Sequence, residues 1–364
     1  MSVLIFLGVL FVLILVHEWG HYITAKKTGM RVDEFGIGFP PKLWSIKKGE
    51  TVYSLNTLPI GGFVKILGEN GVDGDTLSEA DQARTFAARP KWAQAVVLIA
   101  GVTMNILLAW LLFSVTFMIG VPTEVSEQDA TDASQLYVAN TMAESPASVL
   151  PLGSSIVGAQ SGELTLERLS PAGISEFVTI AAPATISVSY EYGGQIEAVD
   201  ITPVQGLIAD DPERYVIGAQ TALVEVQSRG PVAAVIEGFR RTYNGLIAVT
   251  VGLVTFLTQA ITGTADYSQV AGPVGIVGLV GDAAAIGLVT LLNFTAFISL
   301  NLAVINMLPV PALDGGRLLF VAAEAATGKK IPDSWAGYMN GVGMLLLLLL
   351  MAVVTFNDIS NLIG

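Results

Sequence analysis

The sequence predicts a multi-pass α-helical membrane protein with four transmembrane helices and one soluble, strand-rich domain inserted between them. Three observations predict it. First, 52% of the 364 residues are hydrophobic and only 13% are charged, a balance foreign to soluble chains of this length. Second, uncharged apolar runs recur at lengths that cross about 30 Å of hydrocarbon at 1.5 Å per residue. Third, the net charge of −13 is concentrated in one place: residues 121–230 hold 15 acidic residues against Arg168, Arg214 and Arg229, a balance of −12. The acidity therefore marks a segment, and the chain as a whole is unsuited to nucleic acid. With no cysteine there is no disulfide framework, no thiolate nucleophile and no cysteine metal site.

The first span covers residues 1–25 and ends in His17-Glu18-Trp19-Gly20-His21. Its basic neighbours Lys26, Lys27 and Arg31 follow the apolar run, and no small-residue cleavage site ends it, so it reads as an anchor and not a signal peptide. The loop at 26–91 carries ten of the 18 basic residues, which makes it cytoplasmic by the positive-inside rule. It contains a hairpin pattern at about 35–66, turning at Lys48-Gly49-Glu50, and an apolar stretch, Pro59-Ile60-Gly61-Gly62-Phe63, expected to dip back into the membrane. The second span, 92–119, returns the chain to the outside, where the acidic 121–230 domain follows. Within it, Thr185–Glu191 and Ile196–Thr202 alternate apolar and polar residues around Gly193-Gly194, a hairpin signal.

Residues 231–284 are expected as surface helices. Gly245–Thr262 is free of charge and long enough to be scored as a fifth span, but crossing there would put Asp314 on the opposite side from the histidines. Residues 234–262 as helix lying on or dipping into the outer surface, with Glu237, Arg240 and Arg241 toward water, avoid this. The third span is 285–308, a cytoplasmic segment occupies 309–340, and a fourth span at 341–356 precedes a tail at 357–364.

His17 and His21 lie one helical turn apart on one face with Glu18 beside them, the H-E-x-x-H spacing that binds zinc through two imidazoles and supplies a carboxylate base. Inside a bilayer two imidazoles and a carboxylate are costly unless something holds them, and a metal in a watered cavity does so. Catalytic zinc takes three protein ligands and one open position. Both histidines of the chain are already used and there is no cysteine, so the third ligand is expected to be a carboxylate. Asp314 is the candidate: it follows Pro309 and Pro311, which break the third span at its inner end, level with the histidines of the first.

These motifs resemble the site-2 proteases, intramembrane zinc metallopeptidases of peptidase family M50, and within them the RseP-like bacterial group with one PDZ domain. The resemblance rests on His17-Glu18-x-x-His21 and on Asn306-x-x-Pro309-x-Pro311-x-Leu313-Asp314-Gly315. Leu58-Pro59-Ile60-Gly61-Gly62-Phe63-Val64-Lys65, Gly101-x-x-x-Asn105 and Asn357-Asp358 are also similar. It implies Zn²⁺ held by His17, His21 and Asp314, Glu18 as the base that activates water, and Asn306, Pro309, Pro311, Gly61 and Gly62 at the substrate. It also implies a membrane-associated β-hairpin whose edge pairs with unwound substrate, and a PDZ-like α+β fold for 121–230. There the usual Ala-Gly-Leu and Gly-Asp turn is replaced by Ser148-Val149-Leu150-Pro151-Leu152-Gly153-Ser154-Ser155, and Gly38-Phe39-Pro40 replaces the usual Gly-Phe-Gly.

The function implied is hydrolysis of peptide bonds within or near the transmembrane segments of single-span proteins in regulated intramembrane proteolysis. Anti-sigma factor-like proteins first cut by a site-1 protease, and signal peptide remnants, are the implied substrates. The implied location is the bacterial inner membrane, with the N-terminus and the PDZ-like domain extracytoplasmic and the lipid bilayer as partner. Two other readings compete: a metal transporter, or a catalytically inactive scaffold acting through its external domain. Glu18 between the histidines, one metal site and a complete ligand set favour the protease.

Overall fold

A computed structural model describes residues 1–69, 77–208, 211–264 and 271–363; the side chains of residues 59, 60, 333 and 361–363 lie outside the described set. The chain divides into two compact units, one formed by Met1–Val115 with Pro231–Gly364 and the other by Thr116–Gly230.

The first unit begins with α1 (Ser2–Lys27), in which Lys26 and Lys27 occupy the last turn, where cations complement the helix dipole. Next come β1 (Val32–Lys48) and β2 (Thr51–Ile66), which start three residues before the hairpin the sequence suggests and carry Gly61-Gly62-Phe63 as strand. The two strands fold back on themselves. Phe35 faces Val64 on one side and Tyr53 on the other, Ile37 faces Gly62 and Leu55, and Ile46 faces Tyr53. The result is a sheet of four arms in the order 62–66, 32–37, 51–55 and 42–48. It is fixed to the end of α1 through Glu50, which accepts from Lys26 and from both guanidinium nitrogens of Arg84, the latter at 2.8 Å.

A short α2 (Glu79–Gln82) leads to α3 (Lys91–Ile119). In the second unit an antiparallel sheet follows: β3 (Val121–Glu124), β4 (Gln135–Thr141), β5 (Ser155–Ser161), β6 (Leu164–Thr165), β7 (Ile186–Tyr192), β8 (Gln195–Ile201) and β9 (Ala219–Gln227). Its order is β3-β9-β4-β5-β7-β8, with β6 paired to β5. β7 and β8 join at Gly193-Gly194, both at positive φ, as a two-residue hairpin turn requires. One helix, α4 (Pro171–Ala181), lays Ile174, Phe177, Val178 and Ala181 on the sheet's Leu136, Val138, Ile156, Ile186 and Ile201.

Back in the first unit, α5 (Pro231–Thr262) is one unbroken helix of 32 residues, where surface helices were expected. It is followed by α6 (Pro273–Ile286), α7 (Leu288–Asn306), α8 (Asp314–Thr327) and α9 (Asp333–Ile363). By length and composition α1, α3, α5, α7 and α9 suffice to cross a membrane, which is five helices where the sequence reading counts four. The fourth expected span, 341–356, is the middle of the longer α9, whose helix tolerates Asn and Gly residues before the leucine run and Asn357 after it.

Close packing positions the site. Gly20 of α1 sits on the backbone of Ala100 in α3, so any side chain there would overlap that carbonyl. Gly281 of α6 lies against Ser2, while the Asp358 carboxylate of α9 accepts from the amides of Gly272 and Gly275 at 3.0 and 2.9 Å. Short α6 therefore ties the first turn of α1 to the last turns of α9. From Ser2 to His17, and from Asp358 to Gly343 beside Pro311, each helix runs about 22 Å at 1.5 Å per residue.

Candidate metal centre

α1 presents His17 and His21 on one face, both buried. α7 ends at Asn306, and the turn carrying Pro309 and Pro311 leads into α8, whose first residue is Asp314. That turn is tight. Ala312 has φ +77°, an uncommon conformation for a residue with a side chain, and its amide donates to Asn340 Oδ1 of α9 at 3.2 Å. Gly315 and Gly316 pack directly on the carbonyls of Met307 and Val310, leaving no room for a Cβ. The Asp-Gly-Gly sequence is thus a packing requirement that seats Asp314 opposite α1.

Three donor atoms converge. His17 Nε2 and His21 Nε2 are 3.1 Å apart, and Asp314 Oδ2 is 3.1 Å from the first and 3.3 Å from the second. Tetrahedral zinc with bonds of about 2.0–2.1 Å separates its ligands by about 3.3 Å. The triangle already has that size. Asp314 Oδ2 is buried with no hydrogen-bond partner among the described residues, as an atom facing a metal would be. The donor set and its spacing therefore fit zinc.

The surroundings orient these groups. His21 Nδ1–H donates to the Val97 carbonyl of α3 at 2.8 Å, which directs its Nε2 lone pair to the centre. Asn105, fully buried, faces His17 Nδ1 at 3.3 Å, and Ser299 Oγ of α7 donates to the Asn105 carbonyl at 2.8 Å. Gly101 lies between them on α3, so close to both imidazoles that a Cβ would overlap His21 Nε2. Sequence reasoning placed Gly101 and Asn105 only by resemblance, and it missed Gly20, Val97, Ser299 and Asn340. Small residues spaced along an apolar helix were the available signal for Gly20 and Gly101; a backbone carbonyl such as that of Val97 leaves none.

A cavity of about 240 Å³ opens beside the triangle, lined by Leu13, Ile14, His17, Glu18, Asn105, Leu302, Asn306, Ala312, Leu313 and Asp314. Glu18 and Asn306 therefore share one space with the metal-binding triangle. A Cβ added at Gly62 would touch Ile14 and Glu18, so the 62–66 arm borders this space, whereas Gly61 packs under the Phe39 ring. Pro309 and Pro311 are absent from the cavity's lining; Pro311 packs against Gly343 of α9. Their effect is on the turn that carries Asp314.

Comparison with known proteins matches residues 5–350 to peptidase family M50. A protein of Clostridium acetobutylicum, provisionally named a zinc metalloprotease, is 33% identical over 357 residues, covering 96% of this chain and 94% of its own length. Zinc metalloprotease RasP of Oceanobacillus iheyensis is 27% identical, with 99% of each chain covered. The regulator of sigma-W protease RasP of Bacillus subtilis is 28% identical, again with 99% of each covered. With its several long apolar helices, the chain is a multi-pass membrane protein. It belongs to peptidase family M50, the site-2 protease family, and is a zinc metalloprotease.

Proposed function

We propose that the chain hydrolyses peptide bonds within or near the transmembrane segments of single-span proteins, with zinc held by His17, His21 and Asp314. The observation that carries this reading is the 3.1–3.3 Å triangle of donor atoms at the edge of a cavity that also holds Glu18 and Asn306. Bound zinc supplies Lewis acidity, lowering the pKa of water and polarising a carbonyl. Glu18 takes the proton from the attacking water and passes it to the departing amide nitrogen. Asn306, on the cavity wall, hydrogen-bonds the substrate backbone beside the cut. A peptide bond in a helix is shielded by its own hydrogen bonds, so it must first be unwound. The 62–66 arm is paired to 32–37 on one side and borders Glu18 through Gly62, and in this reading its other edge gives the unwound backbone replacement partners.

The sigma-W name of the Bacillus subtilis relative favours anti-sigma factor-like substrates, trimmed beforehand by a site-1 protease; signal peptide remnants suit the same chemistry. In our reading the protein lies in the bacterial inner membrane with α1, α3, α7 and α9 crossing, and the N-terminus and the 116–230 unit outside. That unit, a PDZ-like domain, excludes substrates with large external domains by its volume.

On α5, Val235, Gly238 and Phe239 meet Trp110 and Ser114 of α3, and Gly245 meets Leu300 of α7; in our reading the helix lies on or dips into the outer surface without crossing. Because the chain has no cysteine, single cysteines report topology cleanly. An impermeant reagent applied outside should label Thr264→Cys and spare Ala325→Cys; the reverse would mean that α5 crosses. For the activity, the purified protein in nanodiscs should cut a single-span substrate inside its apolar segment, stop on chelation and resume with zinc. Cleavage confined to residues outside the bilayer would contradict the reading.

A further inference from the structure

The two histidines of the metal triangle lean on one face of α3. Val97, Gly101 and Asn105 are spaced four residues apart, one helical turn each, and antiparallel α1 matches them with His21 and His17. Gly101 leaves room for the rings, and the residues one turn to either side touch their far nitrogens. For His21 the role of that contact is fixed by chemistry. A backbone carbonyl can only accept, so Nδ1 carries the proton and Nε2 is free for the metal.

His17 must satisfy the same condition. Its Nε2 is the atom 3.1 Å from both Asp314 Oδ2 and His21 Nε2, so its proton sits on Nδ1. The atom placed 3.3 Å from that Nδ1 is the Asn105 amide nitrogen, a donor facing a donor, while Asn105 Oδ1 is buried without a partner among the described residues. The two ends of an amide have the same shape and are told apart only by their hydrogen bonds. We propose that Asn105 is a positioning residue for the metal: its side-chain oxygen faces His17 and accepts the Nδ1 proton, holding the tautomer whose Nε2 lone pair points at the centre.

Turning the amide exchanges an orphaned acceptor for an orphaned donor, but it removes the donor–donor clash and restores the ligand tautomer. Ser299 fixes the same residue from α7 by donating to its backbone carbonyl. The hydroxyl thus couples the helix that leads to Asp314 to the residue that orients His17. Asn105 does for His17 what the Val97 carbonyl does for His21, with a side-chain oxygen in place of a backbone one.

This inference rests on the zinc assignment above, and the test separates the two. Zinc affinity is measured by competition with a chromophoric chelator for the wild type and for His17→Ala, Asn105→Leu and Asn105→Asp, with folding followed by thermal melting of the apo forms. Asn105→Leu keeps the shape and removes the acceptor, and should weaken zinc binding about 10- to 100-fold, as loss of an outer partner does. Asn105→Asp keeps an oxygen toward His17 and should stay within about threefold of the wild type, a rescue that a packing role would not produce. A folded Leu variant with wild-type affinity, or an Asp variant as weak as the Leu variant, would overturn the proposal. If the Leu variant does not fold, the comparison of Asp with wild type decides alone. Absence of zinc from the wild type, or full affinity in His17→Ala, would instead refute the metal site itself.

Discussion

Both units of this chain bury apolar cores, and the helical one also buries imidazoles, amides and a carboxylate. In the 116–230 unit the interior is Leu136, Val138, Ile156, Ile186, Val188 and Ile201 under one amphipathic helix, and the charges face water. In the helical unit His17, His21, Gln94, Asn105, Thr295, Ser299 and Asp358 are inside beside apolar clusters that include Met30, Val32, Leu98, Phe113 and Leu300, while Leu345, Leu346, Leu349 and Phe356 are exposed. The hydrophobic effect accounts for the first interior, because burial removes apolar surface from water. It accounts for the second only by driving insertion into lipid. Once there, helices gain nothing from exchanging lipid for leucine, and their arrangement depends on glycine contacts and polar ties. One unit is specified by the amount of apolar surface it hides, the other by a few contacts that admit no substitution.

The largest effect should come from the metal triangle. Asp314→Ala is expected to drop bound zinc from one equivalent to a small fraction, read by elemental analysis, while the melting transition of the 116–230 unit stays in place. Zinc content unchanged by this substitution would place the third ligand elsewhere. Next in size is Gly101→Ala. The added Cβ pushes on His21, and overpacking of this kind costs about 1–3 kcal/mol, or about 5- to 150-fold in zinc affinity. Helix content by circular dichroism should not change.

The converse test lies in the other unit. Ile186 is fully buried in the sheet core, and Ile186→Ala should destabilise that unit by about 2–5 kcal/mol in a denaturant titration. Zinc affinity should be unaffected, since no residue of the metal centre belongs to that unit. Loss of zinc in this variant would break the contrast between the two interiors.

Legibility followed the same division. Apolar run length revealed the helices, and alternation around Gly193-Gly194 revealed the β7–β8 hairpin, because both are local patterns of the kind that burial imposes. His17, Glu18 and His21 were legible as one motif. Asp314 followed from the lack of any other histidine or cysteine. What escaped was contact-defined. The doubling of β1 and β2 into four arms depends on pairings such as Phe35 with both Val64 and Tyr53, which no single-strand pattern encodes. Pro309 and Pro311, expected at the substrate, lie in the turn that presents Asp314 and outside the lining of the cavity beside it.

The smallest expected effect concerns the anchoring of the hairpin. Hydrogen bonds from Arg84 and Lys26 hold the Glu50 carboxyl at about 2, down from its ordinary value of 4.5. A depressed folded-state value means that the contact stabilises fully above pH 4.5 and is lost as pH falls from there through about 2. The anisotropy of tryptophan fluorescence, with Trp44 the only tryptophan retained, should therefore fall over that window. In Glu50→Gln it should be low already at neutral pH, without the acid step. A wild-type response identical to that of the Gln variant would remove Glu50 as the anchor.

The central claim is that the cavity beside His17, His21 and Asp314 is a hydrolytic site in which Glu18 moves the proton. Its most direct test is Glu18→Gln, purified and assayed for zinc content and for cleavage of a single-span substrate in nanodiscs. The account predicts one bound zinc and turnover reduced by about 10²–10⁴-fold, the contribution typical of a general base. Turnover undiminished with zinc in place would contradict it.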